Sequence, residues 1–324
     1  MQDVTSAFKI CLSTLTQFVV SRKRLMLLLF VLFAFAAFIS LPSVVSICRK
    51  DVSEKWNNGW AAWRNDDPET ALHYWSQIGV SENFTVRPSR ISYWKIRALE
   101  KLGMHKEADD LKVDLARKYP FDFYTFLFFK DGGAGMSNKA AGIKAESLFY
   151  PCLWKIEVSA AADRTGISDV MIWSVMKQES KFRENAVSRS GALGLMQLMP
   201  STATDEMRSL NITSSKFTDP DKNILIGASY FARLSRKFKG DLPRAIAAYN
   251  AGMMPVIRWN TLSAEDWVEW IEEIPYPETR EFVRAVLQNR EMYNMISGKK
   301  GELPAFKLIS DRPMPVEKLA SVNR

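Results

Sequence analysis

The first residue in this 324-residue sequence that asks for a chemical explanation is a carboxylate on the apolar stripe of a helix. In the stretch SDVMIWSVMKQESKFRENAVSRSGALGLMQLMPSTA, from Ser168 to Ala203, Ile172, Val175, Met176 and Glu179 fall at i, i+3, i+4 and i+7. Glu179 therefore takes the place of a fourth hydrophobe. Burial raises the pKa of a carboxyl, and one held protonated near neutrality is what a general acid requires. Two plainer roles fit the spacing as well: a Glu at the stripe's edge reaching water, or one paired with Arg183 at i+4.

Downstream, Gly191 and Gly194 break the helical pattern and let a loop approach closely. Gln197 is a neutral amide between Met196 and Leu198 in an apolar run. Such an amide suits neutral, hydroxyl-rich or acetamido ligands such as sugars; a satisfied core amide is the other reading. In DLPRAIAAYNAG, Tyr249 and Asn250 end a short apolar helix stopped by Gly252. In EEIPYPETREFVRAVLQNREMY, Glu278 and Arg280 follow a proline-bounded turn, and Phe282, Val283 and Val286 then build a helix. Tyr249 as core and Glu278 as a cap or structural ion pair remain open alternatives.

These residues need helices to hold them, and the chain supplies little else. Ser168 is placed to cap the helix carrying Glu179, and Pro200 and Ser201 start the next one. Residues 148–298 carry helical patterns throughout, with no strand-type alternation of any length, so the body is mostly α. Residues 52–130 read as short amphipathic helices. Trp56, Trp60 and Trp63 lie at helical spacing, and a break at Asp66-Asp67-Pro68 starts a new helix. Ser92 is a candidate cap for a following helix broken by Gly103, whose stripe runs through Ile96, Leu99 and Leu102 and resumes at Ala108, Leu111 and Leu115. Paired short helices of this kind fit an α-solenoid fragment of two or three hairpins, or a plain helical bundle. The run KDGGAGMSNKAAG, from Lys130 to Gly142, concentrates Gly, Ser and Asn as a linker does.

At the N-terminus, 24 residues from Leu25 to Cys48 carry no charge. As a helix they span about 36 Å, enough to cross a hydrocarbon core of about 30 Å. Arg22, Lys23 and Arg24 precede the run, which favours a cytoplasmic N-terminus and an exported body. The rival is a cleavable signal peptide with Val44 and Ser46 before the cut. The rest of the composition, 47% apolar and 25% charged, is globular and excludes a disordered or collagenous protein. The net charge of +8 suits a polyanionic partner or simple solubility. A basic run with interleaved aromatics is missing, which speaks against nucleic acid. Two histidines and the scattered Cys11, Cys48 and Cys152 speak against a metal site or a disulfide framework.

Four motifs, QES at Gln178–Ser180, SGALGLMQLMPSTA at Ser190–Ala203, AYNAG at Ala248–Gly252 and IPYPETR at Ile274–Arg280, occur in this order. Together they resemble the catalytic domain of soluble-type (SLT) lytic transglycosylases, lysozyme-like enzymes that cleave the glycan strands of bacterial peptidoglycan. YWKIRALEKLG near 93–103 more loosely resembles the end of the helical superhelix that precedes that domain in larger members. The resemblance implies that Glu179 is the sole catalytic acid/base. It would act on the bond between N-acetylmuramic acid and N-acetylglucosamine and leave 1,6-anhydro-muramoyl ends. It implies that Ser188, Gln197 and Met199 line the sugar cleft, that Tyr249 hydrogen-bonds near the catalytic carboxylate with Asn250 beside it, and that Glu278 is a supporting acid. Ser180 completes the motif and supports the helix end. No cofactor is implied. One departure is that Met253, Met254 and Pro255 stand where the family commonly has a Pro-Gly pair.

The resulting expectation is a mostly α chain. A cytoplasmic tail (1–24) leads into a transmembrane anchor or signal peptide (25–48), followed by an α-helical repeat-like domain (52–130). A linker (131–147), a lysozyme-like catalytic domain (148–298) and a C-terminal tail (299–324) complete it. The expected location is the bacterial inner membrane, single-pass, with the catalytic domain in the periplasm, or the periplasm after signal cleavage. The expected partners are peptidoglycan strands and the membrane. A lysozyme-type hydrolase would need a second carboxylate across the cleft, for which Glu184 and Asp205 are nearest in sequence. An inactive wall-binding scaffold is the third reading.

Overall fold

A computed structural model describes residues 50–79, 86–129, 148–213, 216–259, 264 and 266–297. The apolar run 25–48, the linker 131–147 and the tail 299–324 lie outside them. Among the described residues no helix is long and apolar enough to cross a membrane. Their regular structure is helical apart from two isolated antiparallel bridges. The chain divides into two compact units between Ala108 and Asp109.

The N-terminal unit contains α1 (50–64), α2 (Pro68–Ser76), α3 (Pro88–Lys101) and the start of α4 (His105–Lys118). The break expected at 66–68 is present: Asp66 has φ +60, and the Asp67 carboxylate caps α2 by accepting the Thr70 N–H at 3.0 Å. The start of α3 differs from the Ser92 cap expected. The helix begins at Pro88, whose fixed φ suits a first helical turn, and Ser92 lies a turn inside it. Gly103, at φ +75, ends the α3 stripe, and Leu102, the cap residue, is 37% exposed where burial was expected. The core of this unit is tryptophan. Trp75 and Trp94 are fully buried, Trp56 stacks on Trp75 at 5.7 Å, and Trp63 meets Trp94 edge-on at 5.4 Å. Gly59 makes room for them, since a Cβ there would lie 2.4 Å from the Trp75 indole nitrogen.

The C-terminal unit begins within α4 and continues through α5 (Phe123–Phe128), α6 (Lys155–Thr165), α7 (Asp169–Glu179), α8 (Pro200–Ser209), α9 (Pro220–Lys237), α10 (Leu242–Ala251), α11 (Met253–Trp259), α12 (Trp267–Glu273) and α13 (Pro277–Ile296). The long α13 is its axis, packing on α5, α7, α10 and α12, while α9 packs on α6, α8 and α10. The α7 stripe is buried as the spacing required: Ile172, Val175 and Met176 are each no more than 1% exposed. Ser168 caps α7, accepting the Met171 N–H at 3.3 Å. Met253, Met254 and Pro255 do not form an open turn but begin α11.

Replacing Gly59 with Ala should overpack the tryptophan cluster and cost about 1–3 kcal/mol. Urea denaturation followed by tryptophan fluorescence should show it, while Gly79→Ala, with nothing within 4 Å of the added carbon, should leave stability unchanged.

Candidate active site

The chain turns sharply where α7 ends. Glu179 is the last helical residue, and Ser180 caps the helix with its hydroxyl returned to the Met176 carbonyl at 3.1 Å. Ser180 is fully buried. Lys181 and Phe182 follow at φ +51 and +63, two successive left-handed residues without glycine. Such backbone costs on the order of 1–2 kcal/mol per residue; the Phe182 ring, stacked on Trp154 at 6.4 Å, offsets part of it. Arg183 Nε donates to the Ser180 carbonyl at 3.1 Å, so the i+4 ion pair with Glu179 is not formed. Glu179 is half-buried, and its pKa is pushed up to about 8, first by burial and then by the charge of Glu278.

The loop at 186–199 has no helix or strand of its own yet is held by hydrogen bonds along its length. The Ser188 N–H donates to the Ala192 carbonyl at 2.9 Å, and the Ser188 hydroxyl accepts the Ala192 N–H at 2.9 Å. Gln197, at φ +46, donates both amide hydrogens inward, to the carbonyls of Ala186 at 3.0 Å and Gly194 at 2.9 Å. Its amide oxygen keeps its capacity to accept. Asn223 of α9, fully buried, accepts the Met196 N–H at 2.7 Å and donates to the carbonyls of Leu193 and Phe217. Tyr249 of α10 closes the other side by donating its hydroxyl to the Met196 carbonyl at 2.8 Å. Both backbone groups of Met196 are thus held by side chains from two helices. Glycine allows this approach: a Cβ on Gly194, at φ +81, would lie 2.5 Å from the Asn223 amide, and one on Gly227 would lie 2.6 Å from Met196.

Tyr249 therefore bonds to the loop rather than to the Glu179 carboxylate. It still lies in electrostatic contact with Glu179. Burial, and then Glu179, Tyr230 and Glu206, push its hydroxyl well above the usual tyrosine range. Its ring packs on Tyr230 at 5.2 Å and Phe231 at 6.1 Å. Asn250 beside it accepts the Thr279 hydroxyl at 2.6 Å, joining α10 to the first turn of α13. Glu278 sits in that turn, exposed, and is the carboxylate in electrostatic contact with Glu179. Met199 is 40% exposed at the start of α8. Glu184 and Asp205 are both exposed, and Asp205 is paired with Arg208 at 3.3 Å. Among the described residues no group of His, Cys, Asp and Glu could hold a metal.

Sequence reading missed Asn223 and Glu206. Glu206 is 3% exposed and takes Arg233 Nε at 2.5 Å and the Ser229 hydroxyl at 3.0 Å, clamping α8 to α9. Both are polar residues inside otherwise apolar helical faces, the signal that singled out Glu179, but at positions where an exposed face was an equally good reading.

Residues 157–266 match the family described as Transglycosylase SLT domain. The chain carries an SLT domain. The matched segment contains Glu179, the 186–199 loop, Tyr249 and Asn250, and ends before Glu278. Over 143 residues, 42% of this chain and 22% of the relative, segments of the two are 36% identical, the relative being the soluble lytic murein transglycosylase of Salmonella typhimurium. Over 164 residues, 43% of this chain and 46% of the relative, the identity to membrane-bound lytic murein transglycosylase C of Edwardsiella ictaluri is 31%. The chain thus spans between about a fifth and a half of the length of these relatives. The crystal structure of the 70 kDa soluble lytic transglycosylase of Escherichia coli has the same fold, with a TM-score of 0.58 at 20% identity over 79% of this chain and 52% of that one.

Two outcomes follow from this geometry. Between about pH 4.5 and pH 8 the folded protein holds a proton on Glu179 that the unfolded chain releases, so this group's contribution to stability falls as pH rises through that window. Glu179→Gln should therefore be more stable than the wild type at pH 9, by a few kcal/mol at about 1.4 kcal/mol per pH unit of displacement. The two should converge below about pH 4.5 in urea titrations. Asn223→Ala should remove the side-chain partner of the Met196 N–H and the Phe217 carbonyl, and one of the two donors to the Leu193 carbonyl, costing about 2–3 kcal/mol by the same titrations.

Proposed function

We propose that the chain is a membrane-anchored peptidoglycan lytic transglycosylase in which Glu179 is the single acid/base. The observation that carries this reading is a carboxyl held neutral near physiological pH at the end of α7, opposite a loop prearranged by Asn223 and Tyr249. Neutral Glu179 protonates the glycosidic oxygen between N-acetylmuramic acid and N-acetylglucosamine. The resulting carboxylate takes the proton from the muramoyl C6 hydroxyl, which attacks the anomeric carbon of its own ring and closes the 1,6-anhydro bridge. Protons balance across the two steps, and no water is consumed. A tethered hydroxyl has a very large effective concentration, so one carboxylate suffices where ordinary glycosidases use two. The substrate's acetamido group is the stabiliser of the positive intermediate.

Within this reading the remaining residues have distinct tasks. Gln197 offers its amide oxygen to a sugar hydroxyl or amide, since both its hydrogens are engaged in the loop. Met199 offers an exposed apolar contact, and Ser188 and Asn250 shape the cleft wall. Tyr249 acts through the Met196 carbonyl, and Glu278 helps keep Glu179 protonated. Residues 25–48 span the bacterial inner membrane, with the catalytic domain in the periplasm; cleavage of the same segment would release it there. The cationic balance of +8 suits a wall whose peptides carry carboxylates.

One observation favours a second reading. Glu278 is exposed and in electrostatic contact with Glu179, which is where a hydrolase would keep the base that activates water. Digestion of purified peptidoglycan with the full chain in detergent, followed by mass spectrometry, separates the two. Fragments one water lighter than their reducing-end counterparts are expected; ordinary reducing ends would make the protein a hydrolase. Glu179→Gln should lower turnover by about 100-fold or more, whereas a binding scaffold would be indifferent to it. The rate should fall as pH rises above about 8, where Glu179 loses the proton it must donate.

A further inference from the structure

The support for the acid extends beyond the segment that matches the family. Glu278 lies in the first turn of α13, and that turn is fastened at three points. Thr279 donates to Asn250 at 2.6 Å, Tyr276 packs edge-on against Trp259 at 5.1 Å, and Arg280 Nη1 donates to the Glu272 carbonyl at 2.8 Å. Glu272, near the end of α12, is itself buried with both carboxylate oxygens engaged. Arg284 Nη2 donates to Oε2 at 2.6 Å, and the Tyr124 hydroxyl donates to Oε1 at 2.5 Å. Arg284 is 2% exposed. Burial opposes its charge, but Glu272, Tyr124 and Glu281 overcome this and keep the guanidinium firmly protonated.

Tyr124 comes from far away in sequence, 148 residues before Glu272, on the other side of the segment at 130–147. Its own surroundings aim it. Asp122 caps α5 by accepting the Tyr124 N–H at 2.9 Å, Thr125 donates to the Tyr119 carbonyl at 2.7 Å, and Phe123 packs edge-on against Trp267 at 6.1 Å. The ring is fully buried, a task phenylalanine would perform equally; the hydroxyl is accounted for by the carboxylate it meets. A buried carboxylate that loses a donor is left partly unsatisfied, and the backbone around it shifts to find a replacement.

We propose that Tyr124 is a positioning residue of the catalytic site: by holding the Glu272 carboxylate it fixes the turn at 274–276 and thereby the placement of Glu278 against Glu179. The catalytic unit then begins at α5, ahead of the linker, rather than after it. The inference rests on Glu179 as the working acid. The groups in electrostatic contact with Glu179 are Glu278 from α13 and Tyr249 from α10, while Arg183 on the following loop is turned to the Ser180 carbonyl. Displacing Glu278 removes the like charge from this set.

The test uses the full chain and its Tyr124→Phe, Glu278→Gln and doubly substituted variants. The readouts are the NMR titration of the Glu179 carboxyl carbon, which needs no turnover, the pH–rate profile and the melting temperature. Glu278→Gln should lower the Glu179 midpoint by about one pH unit. Tyr124→Phe should lower it by a smaller amount, and the double variant should go no further than Glu278→Gln alone. A Tyr124→Phe protein that melts lower but titrates like the wild type would reduce Tyr124 to core packing and overturn the proposal. Should Tyr124→Phe fail to fold, Arg280→Ala loosens the same turn at a half-buried site; a lowered midpoint supports the coupling, and an unchanged one overturns it. If the midpoints move as expected while no variant, nor the wild type, cleaves peptidoglycan, the positioning stands and the transglycosylase reading falls.

Discussion

A carboxyl whose pKa stands at about 8 constrains everything around it, because any cation within reach or any donor aimed at it would favour its charged form. The C-terminal unit meets this constraint by occupying the neighbouring polar groups elsewhere. Arg183, the cation one helical turn further along the chain, is spent on a backbone carbonyl. The Tyr249 hydroxyl, in electrostatic contact with Glu179, is spent on Met196. What faces Glu179 instead is the like charge of Glu278, which works in the same direction as burial. The helix end, the left-handed pair at Lys181 and Phe182, and the tethered loop are the means of arranging these refusals.

Polar groups, some buried and some partly exposed, form two separate sets within the C-terminal unit. Asn223, Glu206, Arg233 and Tyr249 join α8, α9 and α10 and hold the loop at 186–199. Tyr124, Glu272, Arg284 and Glu281 join α5, α12 and α13 and hold the turn before Glu278. Breaking a buried ion pair by removing one partner is far more costly than replacing the whole set with apolar residues, so such sets change together or not at all.

Much of this was readable in the sequence where a local rule applied. Ser168 as a cap, the breaks at Asp66 and Gly103, the start at Pro200 and the stop at Gly252 each rest on neighbours within one helical turn. Glu179 stood out because a stripe of period 3.6 has a definite expectation at i+7, and a carboxylate contradicts it. Ser92 misled because its capping chemistry was available while Pro88, four residues earlier, set the boundary by its fixed φ. The partnerships between Tyr124 and Glu272, or between Asn223 and Met196, obey no such rule. The first joins residues 148 apart, and the second joins a side chain to a backbone group 27 residues away, so only the folded chain brings them together.

The clamped loop at 186–199 has a further meaning for recognition. Its backbone groups are already bonded to Asn223, Tyr249 and Gln197. On the proposed function, a glycan entering beside it would meet a surface already fixed by hydrogen bonds, although the segment has no regular secondary structure. The conformational entropy that a mobile loop would surrender on closing over a sugar was surrendered when the protein folded. On the proposed function, affinity can then reside in a few weak polar contacts, because ordering this loop adds no cost on binding.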